Sequence, residues 1–322
     1  MIDVSIVIVS FNTAELLNRC LDSIYTFQGN LKLEVFVVDN HSSDQSVALV
    51  KNNYPSVYLI ENKENIGFAR ANNQALKLAK GKYCLLLNSD AFLDEGSLEK
   101  SISYMNDHPN CGVMGAKLLS EDGSMQASAR KFITVWQKFL VKFGIASKFS
   151  QHEFLGGPDY SWWDHRHSRQ VDWVVGAYFF IRGDLVRNGL LLDERFFMYF
   201  EEMDYCKEVK ARSWTVDFNP EVEILHIGGA SASTLKEDYI DSSSQSLRIF
   251  LESEYRYYRK QYSVVYVLLI AGVEIVLHLL RFFKNSLSSR EESKVKVHNS
   301  MIKLKHYFKT LITDRLGSAY EL

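Results

Sequence analysis

Short apolar runs alternate with helix-period segments through the N-terminal part of the chain. Val4–Val9 is a β-branched run of strand length, closed by Ser10-Phe11-Asn12-Thr13. Thr13 stands where a helix N-cap belongs, ahead of Leu16, Leu17, Cys20, Leu21 and Ile24 at helical spacing. Leu33–Val38 predicts a second buried strand, ended by Asp39-Asn40-His41-Ser42-Ser43-Asp44. Val57–Ile60 and Tyr83–Leu87 predict a third and a fourth, with helical segments near 45–53 and 67–80 between them. Continuous apolar strands separated by helices predict an α/β architecture, a mostly parallel sheet covered on both faces. Ligands of such sheets bind outside the carboxyl ends of the strands. The polar clusters Ser10–Thr13, Asp39–Asp44 and Asn88–Asp90 fall at those ends.

The pattern is less regular over 112–230, where Val171–Ile181 reads as one apolar strand and Met203–Ser213 as a helix within a segment running to Trp214. Beyond 235 the texture changes. A tyrosine-rich stretch (Tyr255, Tyr257, Tyr258, Tyr262) leads into the apolar run Val264–Phe283, interrupted at i, i+4 and i+7 by Glu274, His278 and Arg281. One narrow polar stripe on an apolar helix fits a membrane-interface helix, a helix packed on another helix or on a second copy of the chain, or a true span. The basic segment that follows (Lys294, Lys296, Lys303, Lys305, His306, Lys309) favours docking on anionic headgroups, with a solvated charged helix as the alternative.

Composition narrows the class. The 322 residues carry 37 basic and 39 acidic side chains, a net charge of −2, which argues against a dedicated nucleic-acid binder. A hydrophobic content of 47% excludes disorder over most of the length. Cys20, Cys84, Cys111 and Cys206 include no CxxC pair, so reduced thiols of a cytoplasmic protein are expected. No signal peptide is expected, since the run Ile6–Val9 is short and follows an acidic residue.

Four clusters carry candidate chemistry. Asp39, at a strand's carboxyl end, can hold a nucleoside edge or close an Asx turn. Leu85-Leu86-Leu87-Asn88-Ser89-Asp90 ends an apolar strand with a carboxylate where a phosphate-bridging cation would sit, although Asn-Ser-Asp is also a common turn. Glu201, Glu202 and Asp204 open a helix after Phe196-Phe197-Met198-Tyr199-Phe200; they suit the helix dipole, and burial by the aromatics would make one a base. His226, after the apolar strand Val222–Leu225, is a structural histidine or a metal ligand.

Taken together and in order, these blocks resemble glycosyltransferase family 2, inverting enzymes of GT-A fold. The resemblance rests on Val4–Asn12, Val37–Asp44, Glu64-Asn65-Ile66-Gly67-Phe68-Ala69-Arg70-Ala71-Asn72-Asn73, Leu86–Asp90, Trp173–Ala177, Asp193–Asp204 and His226, and covers about 3–232. It is nearest to the branch containing rhamnosyltransferases of bacterial surface-polysaccharide (O-antigen type) assembly.

The resemblance implies a GT-A domain over 1–232 and a helical C-terminal appendage over 233–322. It further implies that Ser10, Asn12, Asp39, Asn65, Arg70, Asn88 and Ser89 bind the donor nucleotide, Asp39 at the uracil or thymine ring. Asn88-Ser89-Asp90 looks like the DxD motif with Asn in the first place, leaving Asp90 and His226 to coordinate Mg²⁺ or Mn²⁺. Trp173, Gly176, Ala177 and Asp204 would line the sugar pocket. Glu201-Glu202 resembles the family's Glu-Asp pair, with Glu202 as general base.

The expected activity is metal-dependent, inverting transfer of a sugar, first rhamnose from dTDP-rhamnose, to a saccharide or lipid-linked acceptor by a chain peripheral on the inner face of the cell membrane. The alternatives are a UDP-hexose or UDP-N-acetylhexosamine donor, another nucleotide-binding α/β enzyme such as a nucleotidyltransferase, or a non-catalytic scaffold of polysaccharide assembly. A nucleotidyltransferase would want a Gly- and Lys/Arg-rich loop after the first strand, which Ser10–Glu15 lacks.

Overall fold

The computed structural model describes residues 1–228, 245–287, 290–314 and 317. They pack as two units. One comprises Met1–Lys131, Asp164–Phe197 and Glu201–Ser233, the other Phe132–Trp163, Met198–Phe200 and Thr234–Leu322. The boundary expected at 232 lies outside the described residues.

The strands are β1 (Val4–Ser10), β2 (Leu33–Asp39), β3 (Tyr58–Glu61), β4 (Tyr83–Leu87), β5 (Ala91–Phe92), β6 (Cys111–Leu119), β7 (Met125–Gln126), β8 (Ala129–Arg130), β9 (Arg169–Gln170), β10 (Trp173–Val174), β11 (Tyr178–Arg182) and β12 (Thr215–His226). The helices are α1 (Ala14–Thr26), α2 (Ser46–Asn53), α3 (Phe68–Leu76), α4 (Ser97–Asp107), α5 (Val135–Lys142), α6 (Ile145–Lys148), α7 (Gly183–Arg187), α8 (Glu201–Ala211), α9 (Gln245–Gln261), α10 (Val264–Ser286) and α11 (Glu291–Thr313).

The main sheet of the first unit runs β3-β2-β1-β4-β11-β6-β12-β5. Its first four strands are parallel, as the unbroken apolar runs require, because both faces are covered. Ser10 pairs with Asp39, and Val7 with Leu86, so β1, β2 and β4 all deliver their polar carboxyl ends to one edge. Beyond β4 the sheet is mixed: β11 is antiparallel to β4 and β6, while β12 runs parallel to β6 and antiparallel to β5.

Two elements depart from expectation. The run Val171–Ile181 is not one strand. Trp173 and Val174 pair with β8 in a separate small sheet, and the chain enters the main sheet only at Tyr178. Apolarity could not show this division: Val175 N–H donates to Ser128 O while Ala177 O accepts from Asn88 N–H, so the two ends of the run serve different partners. The less regular stretch also holds two long central strands, β6 and β12. A bulge at Pro220 shifts the pairing of β12 with β6 between Asn219 and Glu223, where proline's missing N–H is tolerated. Downstream of the bulge, β12 carries His226 to the carboxyl edge.

At the helix ends, Thr13 does not cap α1 with its side chain; its hydroxyl donates to Ser89 Oγ, and the Ala14 N–H is taken by Asp44 Oδ2. Helix α3 stops at Leu76, short of the expected 80, and α8 at Ala211, where left-handed Ser213 turns the chain. All four cysteines are free and buried.

The second unit is helical. Tyr255, Tyr257 and Tyr258 of α9 are fully buried, Tyr258 donating to Ile133 O at 2.8 Å. Its buried acids are matched by cations: Lys138 lies 2.6 Å from Glu254 and 3.3 Å from Glu274, Lys142 lies 3.1 Å from Glu274, and Arg256 lies 2.9 Å from Asp314. Burial by itself would raise Glu274, but Lys138 and Lys142 hold it at about 2. Burial, and then the charge of Lys303, pushes His278 down to about 4. Helix α10 is long and apolar enough to cross a membrane, yet its Glu274–His278 side faces α5 and α11.

Removing one partner of a buried ion pair leaves the other charge stranded, at a cost of about 3–5 kcal/mol. Lys138→Met is therefore expected to lower stability by that order in urea denaturation at neutral pH.

Candidate active site

The carboxyl edge is stitched together by short polar contacts. Asn40 N–H donates to Ser10 O at 2.8 Å, joining the ends of β1 and β2. Ser10, Thr13 and Ser89 form a chain of hydroxyls at 3.2 and 3.1 Å, joining β1 to the turn after β4. Asn12, held at φ 55°, donates its N–H to Ser42 Oγ and accepts from Ser43 N–H at 2.7 Å. Left-handed backbone suits asparagine better than most residues, and here it lets one side chain bridge two loops.

Of the two roles its sequence position offered Asp39, the Asx turn is formed. Its Oδ2 closes an Asx turn by accepting from Ser42 N–H at 2.9 Å. Its Oδ1 is buried with no hydrogen-bond partner in the protein. A buried acceptor left empty costs about 1–3 kcal/mol. Asn65 belongs to the same corner: Asn40 Nδ2 donates to its Oδ1 at 2.7 Å, and so does Gly67 N–H at 3.0 Å. Gly67, at φ 88°, could not carry a side chain, because a Cβ would meet Phe197 O at 2.6 Å.

After β4, Asn88-Ser89-Asp90 forms the turn its composition suggested, Ala91 N–H donating to Asn88 O. The turn also presents Asp90. Pairing of His226 with Ala91 sets the histidine beside it, Nε2 3.4 Å from Asp90 Oδ1. The other ring nitrogen, Nδ1, lies 2.7 Å from Gln126 Oε1, and Gln126 Nε2 donates to His226 O at 2.7 Å. Gln126 thus grips both ends of His226 and fixes which nitrogen faces Asp90. Sequence reasoning missed it; 100 residues separate the pair, and a lone glutamine carries no signal.

The carboxylate pair enters through residues 176–177. Ala177 O accepts from Asn88 N–H at 3.1 Å, tying this segment to the Asp90 turn. Gly176 lies against Glu202: a Cβ there would sit 3.4 Å from Oε1. Two successive left-handed residues, Tyr199 at φ 71° and Phe200 at φ 70°, precede α8. Such backbone is costly for aromatics and fixes the direction in which the first turn leaves.

Glu201 is buried, 3% exposed, and Glu202 is partly buried; each keeps Oε2 sealed and without a hydrogen bond. Burial raises both carboxyls, and the charge of Glu202 drives Glu201 well above the usual range. The N–H groups of Glu202 and Gly176 moderate the rise at Glu202. Burial thus makes both carboxyls harder to ionise than an exposed glutamate, and the charge of one opposes ionisation of the other.

Three expected residues take other partners or positions. Arg70 points at Glu194, 4.0 Å away on an exposed surface, and Trp173 spends its indole N–H on Lys131 O at 2.9 Å. Asp204 is 1% exposed on the turn of α8 after Glu201.

Residues 5–159 match the model of Glycosyl transferase family 2. They are a family 2 glycosyltransferase domain. Relatives extend the likeness. An N-acetylglucosaminyl-diphospho-decaprenol L-rhamnosyltransferase of Mycobacterium tuberculosis is 24% identical over 266 residues, 76% of this chain and 83% of that protein. A poly(ribitol-phosphate) beta-glucosyltransferase of Bacillus spizizenii is 31% identical over 117 residues, 35% of this chain and 18% of that protein. A mannosyltransferase from Pyrobaculum calidifontis, solved in complex with GDP-Man and Mn²⁺, superimposes with a TM-score of 0.53 at 15% identity, covering 96% of this chain and 86% of that one. It shares the GT-A fold. The chain is a glycosyltransferase in which the family match spans the Asp39 and Asp90 corners, while Glu202 and His226 lie beyond it.

A carboxyl whose pKa is raised in the folded state contributes stability below its unfolded pKa and loses it as pH climbs through the folded value. Glu201→Gln should therefore leave the melting temperature of the glycosyltransferase near wild type in mild acid and exceed it increasingly toward alkaline pH. Thermal melts of both proteins across that range check the sign.

Proposed function

We propose that this glycosyltransferase transfers a sugar with inversion from a nucleoside diphosphate donor to a saccharide or lipid-linked acceptor in cell-wall polysaccharide synthesis, at the inner face of the cell membrane. The first donor to test is dTDP-rhamnose, on the strength of the mycobacterial relative; a UDP-hexose is the second, on the strength of the glucosyltransferase. The observation that carries the reading is the gathering of Asp39, the Asp90–His226 pair and Glu202 along one edge through residues 10, 89 and 176–177.

Each group has a task its environment suits. Asp39 Oδ1, buried and unsatisfied, accepts an N–H from the pyrimidine ring of the donor. Asp90 Oδ1 and Gln126-braced His226 Nε2 offer one carboxylate and one imidazole to a divalent cation. Among the described residues no cluster of three His, Cys, Asp or Glu side chains could hold a metal, and a two-donor set fits an ion whose other positions belong to phosphate and water. When bound, such an ion supplies charge neutralisation to the departing diphosphate. Glu202 takes the proton from an acceptor hydroxyl as its oxygen bonds to the anomeric carbon. The bond from that carbon to the diphosphate oxygen breaks on the opposite face, and the nucleoside diphosphate leaves.

General-base catalysis of this kind is worth about 10²–10⁴-fold. Glu202→Gln is expected to lose activity on that scale while still binding nucleotide, and Asp90→Ala to lose turnover together with metal-dependent binding. Thermal-shift titration with UDP, dTDP, GDP and ADP, with and without Mn²⁺, reads the binding; saturation at a hundredfold excess over Kd stabilises by about 2.7 kcal/mol. A larger shift with dTDP than UDP supports rhamnose, and the reverse order discards it. Wild-type turnover in Glu202→Gln would overturn the assignment of the base.

A further inference from the structure

Helix α10 is built inside out. Two of the three residues of its polar stripe face the rest of the helical unit: Glu274 is 3% exposed against Lys138 and Lys142, and His278 is 4% exposed beside Tyr307, while Arg281 is exposed. Its large apolar residues face away. Val265, Leu268, Leu269, Val276, Leu280 and Phe283 are about half exposed or more, Phe283 reaching 63%. At 100° per residue all six fall on one side, opposite Glu274. The face is about 35 Å long, at 1.5 Å per residue over 23 residues.

Helix α11, packed against α10, continues the pattern. Met301, Phe308 and Ile312 are exposed at i, i+7 and i+11, with Lys305 between them at i+4. Charge on the hairpin is one-sided. Arg281, Lys284, Lys296, Lys305 and Lys309 are exposed, whereas the acids of the two helices are buried Glu274 and the pair Glu291-Glu292 at the start of α11.

We propose that the outward face of α10, with the basic residues at its end and along α11, docks this chain on an anionic phospholipid surface, α10 lying along the headgroup boundary with its Leu, Val and Phe side chains in the acyl region. Water is a poor solvent for a stripe of this size, and large contiguous apolar patches on soluble proteins mark partners. Charge selects lipid over a second copy of the chain: an isologous contact would bring together two patches that both carry an excess of exposed cations, whereas an anionic headgroup layer complements Arg281, Lys284, Lys305 and Lys309 while the acyl region takes the apolar side chains. A span is disfavoured because Glu274, midway along the helix, is tied to lysines of α5.

The proposal deepens the transfer reading by giving the surface on which a lipid-linked acceptor would be met. Its test needs neither donor nor acceptor, so either can fail alone.

The intact chain should float with phosphatidylglycerol–phosphatidylcholine vesicles and far less with pure phosphatidylcholine. Leu269→Gln/Leu280→Gln/Phe283→Gln changes only outward side chains and should weaken flotation by roughly tenfold or more with an unchanged melting temperature. Lys296→Ser/Lys305→Ser/Lys309→Ser should remove the preference for anionic vesicles and its salt sensitivity. The bound chain should come off vesicles in alkaline carbonate. Failure of the wild type to float on anionic vesicles, or equal flotation of the Gln variant, overturns the proposal. Resistance to carbonate overturns it in favour of a span. A wild-type dimer in sedimentation analysis that the Gln variant dissociates, without vesicle binding, overturns it in favour of a second copy.

Discussion

Acidic groups taken out of water are the constraint around which both units are organised, and the units differ in whether a cation stands beside them. A buried carboxylate is expensive unless a cation or a set of N–H donors replaces its hydration. In the helical unit Glu254, Glu274 and Asp314 each find a Lys or Arg within 3.3 Å. Glu254 and Asp314 nevertheless keep a second oxygen sealed without a hydrogen bond, as Asp39, Glu201 and Glu202 do at the sheet edge. Pairing with a cation holds helices together. An acid buried without a cation is instead pushed toward its protonated form, as Glu201 and Glu202 are. At the edge the parallel register sets Ser10 beside Asp39, and the Asn88–Ala177 hydrogen bond ties the Asp90 turn to the Gly176 segment.

Glu201 and Glu202, adjacent in sequence, are not equivalent. Both are lifted by burial and each is attended by its own backbone N–H, but the N–H of Gly176 attends only Glu202. A small local asymmetry thus gives two neighbouring carboxyls different surroundings, while the charge of one opposes ionisation of the other. Gly176 matters doubly, as it gives the carboxylate both an N–H and the room a side chain would fill.

What could be read from the sequence was what repeats locally. The apolar runs of β1, β2 and β4 and the polar residues that close them lie within single windows, so the parallel half of the sheet and the Asp39 and Asp90 corners were legible. Contacts formed by register were not. Val171–Ile181 reads as one strand until Val175 and Ala177 commit their backbone groups to different partners, and β12 reads as the short run Val222–Leu225 until the Pro220 bulge is seen to continue a longer one. Gln126 is invisible for the same reason. Its role exists only because β7 pairs with β6 and β12 runs beside β6, which sets residue 126 by residue 226. Thr13 misled in a subtler way, since a hydroxyl at a helix start can serve the helix or a neighbouring turn, and the nearby Asp44 left it free to serve Ser89.

The stripe on α10 shows the limit from the other side. Its spacing was plain in the sequence, but periodicity gives the width of a polar face and not the direction in which it looks. A soluble amphipathic helix turns such a face to water; here Lys138 and Lys142 on α5 draw Glu274 inward, and the apolar majority of the helix is left outside. Reversing that orientation would strand Lys138 between Glu254 and nothing else while exposing a carboxylate that gains little from water already replaced by two ammonium groups. The buried ion pairs therefore do more than stabilise a bundle. They determine which surface of the chain is hydrophobic, and through it which environment the helical unit can occupy.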